Sequence, residues 1–220
     1  MLTHAVIYHF RHELPVPVET VMGPLTARSC VLLRLEDADG AHGWGEIWSN
    51  FPPDGDYHRA RLAAKILPAA LSGLTADTAN PFEKILLRFH QLILQCGEPG
   101  PVAQIISAID IALHDMRARY AAVPLAVILG GTAKAVPAYA SGISPDTAGR
   151  QVEEMRALGY QRFKQRIGFG PGYGIEAARE TFSSLLSGEL LMLDANQAWD
   201  FETARLKCDQ LGELNLVWLE

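Results

Sequence analysis

Three short stretches hold side chains able to do acid–base or metal chemistry. In "RFKQRIG" Lys164 and Arg166 lie two positions apart, so on a strand both project from one face. In "LLMLDANQAW" Asp194 and Asn196 stand where an apolar run gives out. In "NLVWLE" Glu220 ends the next such run, 26 positions after Asp194. That interval is one strand-helix-strand step. Two carboxylates on adjacent parallel strand ends can converge on one point, where like charges repel unless a cation is bound. Oxygen donors with no Cys or His beside them suit Mg2+ better than zinc. Each feature also has an ordinary structural explanation. Lys164 and Arg166 can snorkel to solvent from an edge strand, and Asp194 can be a helix N-cap or turn residue. Position favours chemistry, because α/β barrels place their active sites at the C-terminal ends of strands. Two cations on one buried face are also costly without anions to meet them.

The surrounding pattern predicts the elements that position these groups. From Val136 onward strands and helices alternate. "VPAYA" precedes a helix over Pro145 to Leu158, "YQRFKQRIG" one over Ile175 to Leu186, and "LLMLDAN" one from Phe201; "NLVWLE" is the fourth strand. Such alternation predicts right-handed βαβ units and a parallel sheet. A closed barrel needs eight strands, so four describe about the first half of one, with an exposed apolar edge that calls for a partner.

The earlier part reads differently. "HAVIYHF", "ARSCVLLRLE" and "AHGWGEIW" are three antiparallel strands, the last two joined by "DADG", whose glycine suits a hairpin turn. Between the first two lies "PVPVETVMGPL", where three prolines predict a loop rather than a helix or central strand. Helices follow from Asp56. In "VAQIISAIDIALHDMRARY" the residues Ile105, Ile109, Ala112, Leu113 and Met116 recur at three- and four-residue steps and form one apolar face. "PLAVILGG" then stops on Gly130 and Gly131. The expected organisation is a domain over residues 1–130, antiparallel sheet plus helices, and a second over residues 131–220.

Composition narrows the function classes. The 220 residues are 49% hydrophobic, enough for a sizeable core, and the net charge of −6 with no basic block argues against a nucleic-acid or anionic-membrane partner. A small molecule is the expected ligand. Cys30, Cys96 and Cys208 are odd in number and widely spaced, which fits neither a zinc site nor a disulfide framework and suits a reducing cytoplasm. The first residues lack the pattern of a signal peptide, and no apolar stretch is long enough to span a bilayer.

Several of these motifs, taken in order, resemble the enolase superfamily, and within it the mandelate racemase and muconate lactonizing enzyme group. "GWGEIW" and "QIISAIDIALHDMRARYAAVPLAVILGG" are similar to that group's capping domain and its crossing into the barrel. "FKQRIG" resembles its lysine motif on the second barrel strand, "LDANQAW" its first metal-ligand motif on the third, and "VWLE" the start of its Trp-aliphatic-Glu-Glu-Pro motif on the fourth. The fold implied is an α+β capping domain followed by a (β/α) barrel, of which about the first half is present.

The resemblance implies a Mg2+-dependent enzyme that removes the proton α to a carboxylate and passes through an ene-diolate to a racemised, dehydrated or cyclised product. Asp194 and Glu220 would be metal ligands. Asn196 would face the substrate, a hydroxy acid or acid sugar, and Lys164 would lie against its carboxylate. The capping-domain loops, with Met22 and Trp48, would select that substrate. Such chemistry needs preorganised positive charge in a water-poor site, because a side-chain base cannot otherwise deprotonate so weak a carbon acid. The group's motif is Lys-X-Lys, and Arg166 replaces the second lysine. A guanidinium is a poor base and a good anion clamp. Its charge would depress the pKa of Lys164 and make that lysine the better base. The group's third metal carboxylate and opposing base lie on later strands, with no counterpart in this sequence, and all seven histidines precede the barrel part. The alternative is therefore an inactive half-barrel fragment or pseudoenzyme that binds metal or self-associates; a homo-oligomer is expected either way. A doubly wound phosphate-binding domain is a third option. Its only support is "GFGPGYG", which lacks the Walker ending and the Gly-x-Gly-x-x-Gly spacing.

Overall fold

The structure, a computed structural model, describes residues 1–18, 20, 22–97, 99–168 and 174–220. It divides into two compact units: Met1–Pro17 with Thr26–Lys134, and Val18–Leu25 with Ala135–Glu220.

The first unit is built on a sheet of order β1-β2-β3, with β1 Leu2–Val18, β2 Leu25–Asp37 and β3 His42–Ile47. Hairpin β2–β3 pairs Val31 with Ile47, Leu33 with Gly45 and Leu35 with Gly43. Its turn carries Gly40 at φ 82°, a left-handed conformation that glycine adopts without strain. Val31, Leu33, Leu35 and Ile47 are fully buried. Helices α1 Gly55–Leu71, α2 Pro81–Cys96, α3 Pro99–Tyr120 and the single turn α4 Leu125–Ile128 complete the unit. The expected apolar face of α3 is borne out, since Ile105, Ile109, Ala112, Leu113 and Met116 have no exposed surface. On the sheet that face meets glycine. A β-carbon on Gly45 would lie 1.9 Å from the Ala108 carbonyl oxygen, and one on Gly43 2.0 Å from that of Ala112. The glycines of "GWG" thus let two backbones come together, and the Trp44 amide between them donates to Asp115 Oδ2 at 2.9 Å.

One expectation is corrected here. β1 does not stop before the prolines but runs through Pro15 and Pro17 to Val18. It is an edge strand, and there a proline without an N–H can face away from the ladder. Beyond it the Gly23 amide donates to the Thr20 carbonyl at 3.0 Å, while residues 19 and 21 of the expected loop lie outside the described residues.

The second unit has a sheet of order β4-β5-β6, comprising Ala140–Ile143, Arg162–Arg166 and Leu190–Asp194, all parallel. A 3-10 turn Pro145–Thr147 and α5 Ala148–Ala157 follow β4, α6 Ile175–Ser183 follows β5, and α7 Phe201–Leu211 follows β6. Phe163, Leu191 and Leu193 are fully buried in the core beneath these helices. Two strands differ from expectation. β4 begins at Ala140, just after "VPAY"; Pro137 in that stretch has no N–H to donate to a ladder. "NLVWLE" lies along β6 through one parallel bridge, Leu193 to Leu219, with Val217 donating to Leu191 and Glu220 to Leu193 at 3.0 and 2.9 Å. It is an incipient fourth strand rather than a full one. The segment "GFGPGYG" falls largely outside the described residues.

Candidate active site

Parallel pairing in register decides which side chains meet at the end of the second sheet. Lys164 is opposite Met192 and Arg166 opposite Asp194. These four share a face, while Phe163 and Gln165 turn to the other. Lys164 Nζ lies 2.8 Å from Asp194 Oδ2 and 2.7 Å from Glu220 Oε2. The Lys164 and Asp194 side chains are each only 11% exposed, whereas Glu220 is 60% exposed. The two carboxylates expected to converge from their spacing thus meet about a single cationic nitrogen, that of Lys164.

Backbone fixes the Asp194 carboxylate and the main chain of Glu220. β6 ends at Asp194, whose other oxygen, Oδ1, accepts from the Asn196 amide at 2.7 Å, and Asn196 and Gln197 take left-handed φ values of 48° and 64°. Asp194 therefore serves as a turn residue as well as a charged strand end. The N-cap of α7 is a different residue, Asp200, which accepts from Thr203 N. Glu220 is held by two hydrogen bonds, its amide to Leu193 O and its carbonyl from Ala195 N at 2.8 Å.

The electrostatics differ from expectation. Burial lowers the Lys164 pKa, but hydrogen bonds and charge from Asp194 and Glu220 outweigh it, so the pKa is raised. Arg166 was expected to depress it. The two carboxylates lie within hydrogen-bonding distance of Nζ, and attraction at that range prevails. Lys164 is thereby held as a cation between the two carboxylates in this arrangement. Arg166 forms no ion pair with a described residue.

The remaining candidates are less closely joined. Asn196 is half-buried beside Asp194. Met22 belongs to the same unit as Lys164 and is 75% exposed. Trp48 belongs to the other unit, is 46% exposed and lies against Phe51, with ring centroids 6.3 Å apart. Among the described residues no group of three or more His, Cys, Asp and Glu side chains is placed to hold a metal, and no helix is long and apolar enough to cross a membrane.

A cluster in the first unit escaped sequence reasoning. Asp56, whose side chain is 2% exposed, accepts from His9 Nε2 at 2.6 Å and from Arg11 Nη1 at 3.2 Å. His9 packs edge-on against Tyr57. A signal existed in the alternation of His9 and Arg11 on one face of β1, but nothing local names a partner 47 positions away.

Residues 3–130 match the family described as mandelate racemase / muconate lactonizing enzyme, N-terminal domain. The chain belongs to the mandelate racemase and muconate lactonizing enzyme family. Residues 147–220 match its enolase C-terminal domain-like part, so the antiparallel unit is the capping domain and the parallel unit is part of the barrel domain. The chain is similar to a D-galactarolactone cycloisomerase of Agrobacterium fabrum, at 27% identity over 95% of this chain and 55% of the relative. A mandelate racemase/muconate lactonizing enzyme structure from Bordetella bronchiseptica superposes with a TM-score of 0.85 at 40% identity, covering 99% of this chain and 57% of that one. An L-talarate/galactarate dehydratase from Salmonella typhimurium, liganded with Mg and L-lyxarohydroxamate, gives a TM-score of 0.83 at 28% identity over 98% and 56%. The chain thus spans little more than half the length of these relatives.

Proposed function

We propose that the protein acts, with Mg2+, on the carbon α to the carboxylate of an acid sugar or hydroxy acid, in a reaction of the racemase, dehydratase or cycloisomerase type. The observation that carries this is the convergence of Asp194 and Glu220 on one cation at neighbouring strand ends. The donor set fits a hard divalent ion, since both groups are carboxylates. When bound, Mg2+ supplies the positive charge that makes an α-proton acidic enough to remove.

The chain's own residues add to that charge. Arg166, with its fixed guanidinium and no described anionic partner, is suited to clamp a substrate carboxylate. Lys164 contributes an ammonium to the same end of the sheet, and Asn196 offers an uncharged hydrogen-bonding group beside the metal ligand. Met22 and Trp48 are assigned as substrate contacts on the family resemblance together with their exposure. Self-association belongs to the same proposal.

The test is hydrogen exchange at the α carbon. The protein is incubated with Mg2+ and galactarate or glucarate in D2O, and the substrate is followed by proton NMR. Loss of the α-proton signal, abolished in Asp194→Asn, is the expected result. A second possibility is a metal-binding protein without turnover. Magnesium binding with no exchange on any acid would establish it in place of the first.

A further inference from the structure

Between the two carboxylates stands a side chain of this protein. Lys164 Nζ is within 2.8 Å of one Asp194 oxygen and 2.7 Å of one Glu220 oxygen, and among the described residues no other cation pairs with either group. An ammonium is a compact point charge on a flexible four-carbon stem with three donors. It can bridge two oxygens and can also withdraw. A guanidinium in a rigid planar fork withdraws less readily, and Arg166, although its Cα is paired with that of Asp194, forms no ion pair with either carboxylate among the described residues.

We propose that the Lys164 ammonium is the built-in counter-ion of the metal-ligand pair, holding Asp194 and Glu220 together before metal arrives and competing with Mg2+ for the point on which they converge. This rests on the assignment of both carboxylates as ligands. Mg2+ takes carboxylate oxygens at about 2.0–2.1 Å, and at the point on which these two oxygens converge it would meet the ammonium as a like charge, which favours one occupant at a time. Displacement has two consequences. The metal-free site is preformed, because two like-charged groups are prevented from swinging apart. The displaced ammonium becomes available to an incoming anion, so that metal binds first and the acid second.

The competing explanation is that Lys164 only supports the ligands in position, in which case removing it weakens metal binding. Calorimetric titration of the full chain with MgCl2 separates the two. In Lys164→Met, which keeps the stem and removes the charge, Mg2+ should bind about tenfold more tightly, a size typical of coupling between sites. The metal-free melting temperature should fall, and the rise in melting temperature on adding Mg2+ should exceed that of the unsubstituted protein. Binding that is unchanged or weaker in Lys164→Met overturns the proposal. Should that variant not fold, the unsubstituted protein carries the test. With lysines labelled at 15Nζ, and the Lys164 signal assigned through the charge-retaining Lys164→Arg, that signal should shift on Mg2+ addition with the calorimetric half-saturation point. A signal that stays fixed at saturating Mg2+ refutes displacement. If neither protein binds Mg2+ saturably, the ligand assignment itself fails and the proposal with it, an outcome distinct from metal binding that is indifferent to Lys164.

Discussion

Gly45 lies so close to Ala108 that a β-carbon on the glycine would come within 1.9 Å of the alanine carbonyl oxygen. The obstacle is helix backbone, which cannot rotate aside as a side chain can, so Gly45→Ala must push α3 off the sheet. The expected cost is about 3 kcal/mol or more, at the upper end of overpacking effects, read as a lower urea midpoint. Gly149 provides the control. It is exposed in the first turn of α5 with nothing within 4 Å of an added β-carbon, so Gly149→Ala should not lower the midpoint.

A second prediction concerns acid. Burial raises the Asp56 pKa, but the His9 hydrogen bond and the charges of Arg11 and His9 outweigh it, leaving the carboxyl below its ordinary 3.8. A carboxyl depressed on folding contributes stability that is fully present above its unfolded value and is lost as pH falls through its folded value. The contribution should therefore be intact at pH 7 and disappear progressively below about pH 4. Asp56→Asn should lose about 1.5–3 kcal/mol at pH 7, the range for hydrogen bonds to charged groups. The difference from the unsubstituted protein should shrink at low pH. Urea unfolding at pH 7, 5 and 3 measures it, and a difference constant across that range would contradict the account.

Arg166 gives a third. As an anion clamp it should affect the acid and not the metal. In Arg166→Met, calorimetric Mg2+ affinity should change by less than about threefold, whereas glucarate binding at saturating Mg2+ should weaken at least about tenfold, the loss of a charge-assisted bidentate contact. Arg166→Lys should recover only part of it, because an ammonium cannot reproduce the planar fork. Loss of metal affinity instead would place Arg166 with the ligand pair.

What was legible in the sequence divides by the range of the interaction. The α3 face, the β2–β3 hairpin and the two central barrel strands were readable because their signals are local: apolar residues at helical steps, a glycine in a four-residue turn, a short apolar run. Lys164, Asp194 and Glu220 were readable because one strand-helix-strand step brings strand ends together. Features set by distant partners were not. That β1 continues through Pro15 and Pro17 depends on its being at the edge of a sheet. That Asp56 is buried depends on His9 and Arg11, and the need for glycine at 43 and 45 depends on a helix more than 60 residues later. The raised pKa of Lys164 was misjudged for a related reason. Arg166 is its neighbour in sequence, but the carboxylates 30 and 56 positions away are its neighbours in space.

The most direct test of the central claim is a calorimetric Mg2+ titration of the unsubstituted chain beside Asp194→Asn and Glu220→Gln. If these carboxylates form the metal site, the unsubstituted chain binds Mg2+ saturably and each variant loses at least about tenfold in affinity, the low end of what removing a supporting metal contact costs. Saturable binding that survives both substitutions would place the metal elsewhere, and its absence from the unsubstituted chain would mean that Asp194 and Glu220 are held together only for Lys164.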